Sequence, residues 1–131
     1  MKTNKLYKIA ENSAVRVDRF SLPECHSVSV QLNGLCAVAL DPHLTGAEER
    51  VCLAHELGHC ETQSFYNLYA PLDIRGKHEK RADRWAIVHL VPKTAYRKAL
   101  RNGYTEIYSL AEYFNVTPEF MKKAVDYYTS A

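Results

Sequence analysis

The apolar residues of this chain change their period once, near residue 41, and that change restricts the fold more than any other feature. Before it, Ser27-Val28-Ser29-Val30-Gln31-Leu32 and Leu35-Cys36-Ala37-Val38-Ala39-Leu40 flank Asn33-Gly34. Asn-Gly accepts the positive φ angles of a type I′ turn, and alternating runs on either side of it make a β-hairpin. After Asp41-Pro42, Thr45 and Glu48 stand at capping-box spacing, and Val51, Leu53, Ala54 and Leu57 recur at helical intervals. A helix is therefore expected over residues 46–60. A hairpin followed by a helix of this length places the chain in the α+β class.

The flanking segments are less distinctive. Residues 4–12 can form a short helix with Leu6, Ile9 and Ala10 on one face, and Val15 and Val17 alternate with Arg16 and Asp18 in a strand that ends before Pro23. Residues 61–77, which contain Pro71 and Gly76, read as a loop. A second long helix is expected over residues 78–90, stopped by Pro92. Two or three short helices fill the remainder: Asn102-Gly103 closes one, and Thr117-Pro118 opens the last as N-cap and first-turn proline.

A hydrophobic content of 47% with 24% charged residues is the composition of a folded protein, and 131 residues without an internal repeat or linker read as one domain. The net charge of +2 is too small to single out nucleic acid or an acidic membrane as the main partner. Met1-Lys2-Thr3-Asn4-Lys5 is not followed by an apolar run, and no stretch approaches membrane-spanning length, so a cytoplasmic location is expected. In that reducing compartment Cys25, Cys36, Cys52 and Cys60, which show no close pairing, are expected to be free thiols.

The chemistry is concentrated in His55-Glu56-Leu57-Gly58-His59. Two histidines four apart on a helix share a face, with Cβ atoms about 5–6 Å apart. Both imidazoles can then reach one zinc ion (Zn2+) at about 2.0–2.1 Å. Glu56 sits beside the first ligand, placed to take a proton from water rather than to bind the metal. The plainer reading, a surface helix whose histidines merely share a face, fits poorly with an otherwise apolar helix in which three polar groups would be costly. A catalytic zinc needs a third protein ligand and an open position. Glu79 and Asp83 share a face of the second helix, and the simplest assignment makes Glu79 the ligand and Asp83 the acceptor from a ligand histidine. His78 and His89 are rival ligands, and Cys52, one turn before His55, is a further candidate.

The block just described, followed by Glu79-x-x-Ala82-Asp83-x-Trp85-Ala86 and Leu90-Val91-Pro92, resembles the ImmA/IrrE family of metallo-endopeptidases. That family's usual second block is Glu-x-x-Ala-Asn/Asp-x-Phe-Ala with a Leu-x-Pro-like stop, so Trp85 replaces one aromatic with another. Leu110-Ala111-Glu112-Tyr113-Phe114-Asn115-Val116-Thr117 is similar to its terminal helices, and the likeness spans roughly residues 5–129. The resemblance implies a compact zincin-like fold with an N-terminal hairpin beside the active-site helix and C-terminal helices resembling a helix-turn-helix. It also implies a gluzincin-like ligand set of His55, His59 and Glu79, within a catalytic core at residues 1–92 and a helical part at 93–131. Members of the family are typically encoded by phages or mobile elements, and some cleave a helix-turn-helix repressor, so a repressor of that kind is the implied protein substrate.

The substrate is expected to add as a strand along Leu35, Cys36, Ala37, Val38, Ala39 and Leu40, which would line the cleft. Tyr66, Tyr69, Arg75 and His89 are candidates for stabilising the oxyanion. Two other functions compete with proteolysis. A regulatory metal protein would have less use for Glu56. A DNA reader built on Leu110-Ala111 through Met121 would open its second helix with amide or basic side chains, whereas this one opens Pro118-Glu119-Phe120, with Lys122 and Lys123 able at most to touch phosphate.

Overall fold

Asn33 and Gly34 take φ angles of 53° and 79°, as the tight hairpin turn requires, and they fix the register of the strands on either side. The computed structural model describes residues 1–22, 25–66 and 69–130. In chain order its elements are α1 (Thr3–Asn12), β1 (Arg16–Arg19), β2 (Ser27–Leu32), β3 (Leu35–Leu40), α2 (Gly46–Thr62), α3 (Leu72–Leu90), α4 (Lys93–Arg101), α5 (Ile107–Phe114) and α6 (Pro118–Thr129). The fold is α+β, as its sequence pattern predicts.

The three strands are ordered β1-β3-β2, with β3 parallel to β1 and antiparallel to β2. This corrects the expectation that Leu35, Cys36, Ala37, Val38, Ala39 and Leu40 receive the substrate. Both edges of β3 are already paired, and Val38, Ala39 and Leu40 are buried. Pairing on both sides is also why β3 is the more apolar arm of the hairpin. The edge strands are β1 and β2.

Strand alternation puts Ser27 and Ser29 on the face that also carries Leu40 and Val38, their register partners, and that face is covered by α2. Val28 and Val30 point the other way and are exposed. Cys36 lies on the covered face and is joined to Cys60 of α2, with Cα atoms 5.9 Å apart. The expectation of four free thiols therefore fails for this pair. The partners are 24 residues apart and meet only when the sheet packs on the helix, so no sequence spacing marks them. Cys25 and Cys52 are free.

Helix α2 begins where the capping pattern places it, although the Thr45 side chain makes no capping hydrogen bond. Glu48 and Glu49 in its first turn suit the helix dipole. Between the sheet and α3, α2 buries Arg50, Leu53, Ala54, Glu56, Leu57, Gly58 and His59. Gly58 permits the close crossing: a Cβ there would lie 2.5 Å from the carbonyl oxygen of Ala82.

Helix α3 starts at Leu72, not at His78, so part of the expected loop is helical. Its first turn lies in water, with Leu72, Asp73 and Ile74 exposed, and a turn without a packed face shows no apolar period to read. At the C-terminal end, Thr117 caps α6 by accepting from the backbone N–H of Phe120.

One hydrophobic cluster gathers Leu6 and Ala10 of α1, Val38 and Leu40 of β3, Leu53 and Leu57 of α2, and Leu90 of α3 with Leu110, Phe114, Phe120 and Met121 from the last two helices. Arg50, only 4% exposed, reaches across it. Its guanidinium donates to the carbonyl oxygens of Asn115 (2.9 Å), Phe114 (3.3 Å) and Met1 (2.5 Å) and to the Thr3 hydroxyl (3.3 Å). Carbonyl dipoles in place of a carboxylate are what keep this buried cation satisfied. Among the described residues no helix is long and apolar enough to cross a membrane.

Candidate metal centre

His55 and His59, one turn apart on α2, stand edge to face with ring centroids 4.9 Å apart. Glu79 of α3 meets both: its Oε2 lies 2.9 Å from His55 Nε2 and its Oε1 lies 3.1 Å from His59 Nε2. The ligand atoms of the three residues fall within 4.8 Å of one another.

The far side of each ring decides how it is protonated. His55 Nδ1 is 2.8 Å from Asp83 Oδ1, and His59 Nδ1 is 2.5 Å from the carbonyl oxygen of Ser64. Neither a carboxylate nor a carbonyl can donate, so each Nδ1 carries a proton and each Nε2 is the nitrogen turned toward Glu79. Ser64 is brought into place by the left-handed Gln63 that ends α2, with the Ser64 N–H donating to the carbonyl of His59. Asp83 is steadied in turn by Lys123 of α6, at 3.3 Å.

The charges show what the cluster lacks. Burial disfavours a charged His55, but the Asp83 and Glu79 carboxylates outweigh it and push the imidazole up to about 10. His59 moves the same way, with burial opposed by Glu79 and by the Ser64 carbonyl. Hydrogen bonds from His55 and then His59 hold Glu79 far below the usual carboxylate range. Positive charge is thus required at one point between three donors. Protons on both rings can supply it, and so can one cation facing neutral imidazoles. Two nitrogens and a carboxylate, each already oriented from behind, fit a metal ion.

Beside the cluster lies a cleft of about 340 Å³ lined by Ser27, Val28, Ser29, Ser64, Phe65 and Tyr66 together with His55, Glu56, His59 and Glu79. Glu56 is buried and stands apart from the three converging donors. Its Oε2 accepts from the Ser27 hydroxyl and its Oε1 from the Ser29 hydroxyl, each at 2.7 Å. Tyr66 donates to Glu79 Oε1 at 2.9 Å, stacks on His78, and lies under the Arg75 guanidinium.

Residues 11–126 match a peptidase family described as the IrrE N-terminal-like domain. The chain belongs to this family. No curated protein and no solved structure gives a match. Membership makes the chain peptidase-type, with a protein as its class of substrate, and the His55, His59 and Glu79 group gives this IrrE-like domain a place for a metal cofactor.

The structure therefore brings together His55, Glu56, His59, Glu79 and Asp83, and separates them from the other candidates. His78 faces Tyr66 rather than the donors. His89 stacks on Trp85 at 3.8 Å and donates from Nδ1 to the Trp85 carbonyl. Cys52 lies by Ser27, where burial pushes its thiol up against the opposing Ser27 hydrogen bond. Of the oxyanion candidates, Tyr66 lines the cleft, while Tyr69, Arg75 and His89 are not among its lining residues. None of residues 35–40 lines it either; Ser27, Val28 and Ser29 of β2 do.

Ser27, Ser29 and Ser64 were not anticipated from sequence. Serines two apart on a strand share a face, which is a visible signal, but in Ser-Val-Ser-Val the usual expectation turns the valines inward. Ser64 acts through its main chain, for which a sequence carries no mark.

Proposed function

We propose that this chain is a zinc-dependent endopeptidase, with the ion held by His55, His59 and Glu79 and with Glu56 as general base. The observation that carries this reading is the convergence of three donor atoms, both rings fixed by Nδ1 donation, next to a buried carboxylate that takes no part in the cluster. When bound, zinc supplies Lewis acidity toward water and the scissile carbonyl.

The chain's own residues do the rest. Glu56 accepts a proton from the attacking water and returns it to the leaving amine. Asp83 and the Ser64 carbonyl keep both imidazoles in the ligating tautomer. The free edge of β2, whose first residues line the cleft, takes the substrate main chain as an added strand. Such recognition reads little sequence, so choice of target falls to surfaces outside the cleft.

The likeness to ImmA/IrrE members supports a helix-turn-helix repressor of a phage or mobile element as the substrate, met in the cytoplasm. Residues 1–92 carry the reacting groups, and 93–131 brace them through the shared core and through Lys123. Leu110, Ala111, Val116 and Met121, which would set a DNA-reading helix pair, are buried in that core, and Lys123 is engaged by Asp83.

Mixing zinc-loaded protein with a helix-turn-helix repressor and following fragments by mass spectrometry tests the proposal. Cleavage should stop on chelation and resume when zinc is restored. Cleavage indifferent to chelation, or none at all by the loaded protein, would overturn it.

A further inference from the structure

Glu56 is 7% exposed, and a buried carboxylate is costly unless its lone pairs are met. Among the described residues no lysine or arginine forms an ion pair with it. What holds it is a pair of hydroxyls from one strand, Ser27 on Oε2 and Ser29 on Oε1. We propose that Ser27 and Ser29 are positioning residues for Glu56, a two-hydroxyl clamp that fixes the plane of the base from the strand lining the cleft. The proposal rests on the peptidase reading above.

The geometry suits the task. Residues two apart on a strand stand about 6.7 Å from each other and point the same way, so a carboxylate fits between their hydroxyls with one oxygen toward each. A carboxylate offers about four acceptor positions. Two hydroxyls leave the others for the water whose proton is to be taken, so the clamp orients the base without filling it. The clamp also stands on β2, an edge strand whose first residues line the cleft. A peptide added there pairs with the same backbone that aims the base, which joins substrate binding to alignment of the proton acceptor.

The test uses the full zinc-loaded chain, with fluorescein-labelled casein and a helix-turn-helix repressor as probes. The double variant Ser27→Ala/Ser29→Ala should keep its zinc and its KM within about twofold, while kcat falls about 10- to 100-fold, the range expected when a reacting group is misplaced by about 1 Å. Ser27→Thr/Ser29→Thr, which restores the hydroxyls, should recover kcat. A second readout needs no activity: in thermal unfolding, removing both hydroxyls should lower Tm in the Glu56 protein and change it little in a Glu56→Ala background. Equal Tm shifts in both backgrounds would overturn the contact itself. Full kcat in the alanine variant of an active enzyme would overturn the positioning role and leave the peptidase reading standing. If zinc-loaded wild type cleaves neither probe, the peptidase reading fails and the catalytic role of the clamp fails with it.

Discussion

The two helices that meet at the candidate metal centre are built on opposite terms. Helix α2 is enclosed, with the sheet on one side and α3 on the other, and its His59 side chain is 6% exposed. Helix α3 enters from solvent through an exposed first turn, and the side chain of its Glu79 is 39% exposed. The enclosed helix supplies two imidazoles oriented from behind and a carboxylate held by two hydroxyls of a strand. The open helix supplies a carboxylate that faces the cleft and that water can partly solvate. Rigidity and access are thus divided between two elements, and no single helix has to provide both.

The sharpest way to break this contrast is at Glu56 on α2, the proposed base. Glu56→Gln keeps the size of the side chain and should keep the metal, since Glu56 is outside the donor cluster. It cannot accept a proton, so proteolysis should fall by about two to four orders of magnitude. Loss of zinc equal to that in His55→Ala or His59→Ala, read by atomic absorption, would instead make Glu56 a ligand.

The next test separates direct contact from support on α3. Asp83→Ala removes the group that orients His55 and should weaken metal binding about 10- to 100-fold. Glu79→Ala should weaken it more, because a donor itself is lost. Titration with a chromophoric zinc chelator checks the order, and the reverse order would move the third ligand to Asp83.

The two glycines give smaller effects of opposite sign. Gly58→Ala on α2 drives a methyl group to 2.5 Å from the Ala82 carbonyl and should cost about 1–3 kcal/mol as the helices are forced apart. Gly76→Ala on α3 meets nothing within 4 Å and should stabilise by about 0.4–1 kcal/mol, through better helix propensity and a less flexible unfolded chain. Thermal unfolding of both variants measures this directly. A stabilising Gly58→Ala would mean that the crossing of the two helices is looser than described.

The same division explains what could be read in the sequence. On α2 the motif, the apolar period and the capping residues all agree, so both histidines, Glu56 and the start of the helix were legible from one segment. On α3 the carboxylates were legible only through their spacing relative to that motif, and the solvated first turn hid where the helix begins. Strand order was not legible. The pairing of β1 with β3 is parallel and long-range, so the hairpin alone could not show that its second arm is central and its first arm the edge. The inward serines of β2 contradict the usual sense of alternation because they satisfy a buried carboxylate. The Cys36–Cys60 link depends on how the sheet lies across α2.

Arg50 has a consequence for how the molecule comes apart. Its guanidinium bonds reach backward 49 residues to Met1 and forward 64 and 65 residues to Phe114 and Asn115. Fraying of α1, or detachment of α5 from α6 at their turn, would leave a buried cation short of acceptors, so each event raises the free energy of the segment that remains. Local opening at either place is thereby linked to global unfolding. Native-state hydrogen exchange should find the two regions losing protection together, as one cooperative unit that includes the helix bearing the histidines.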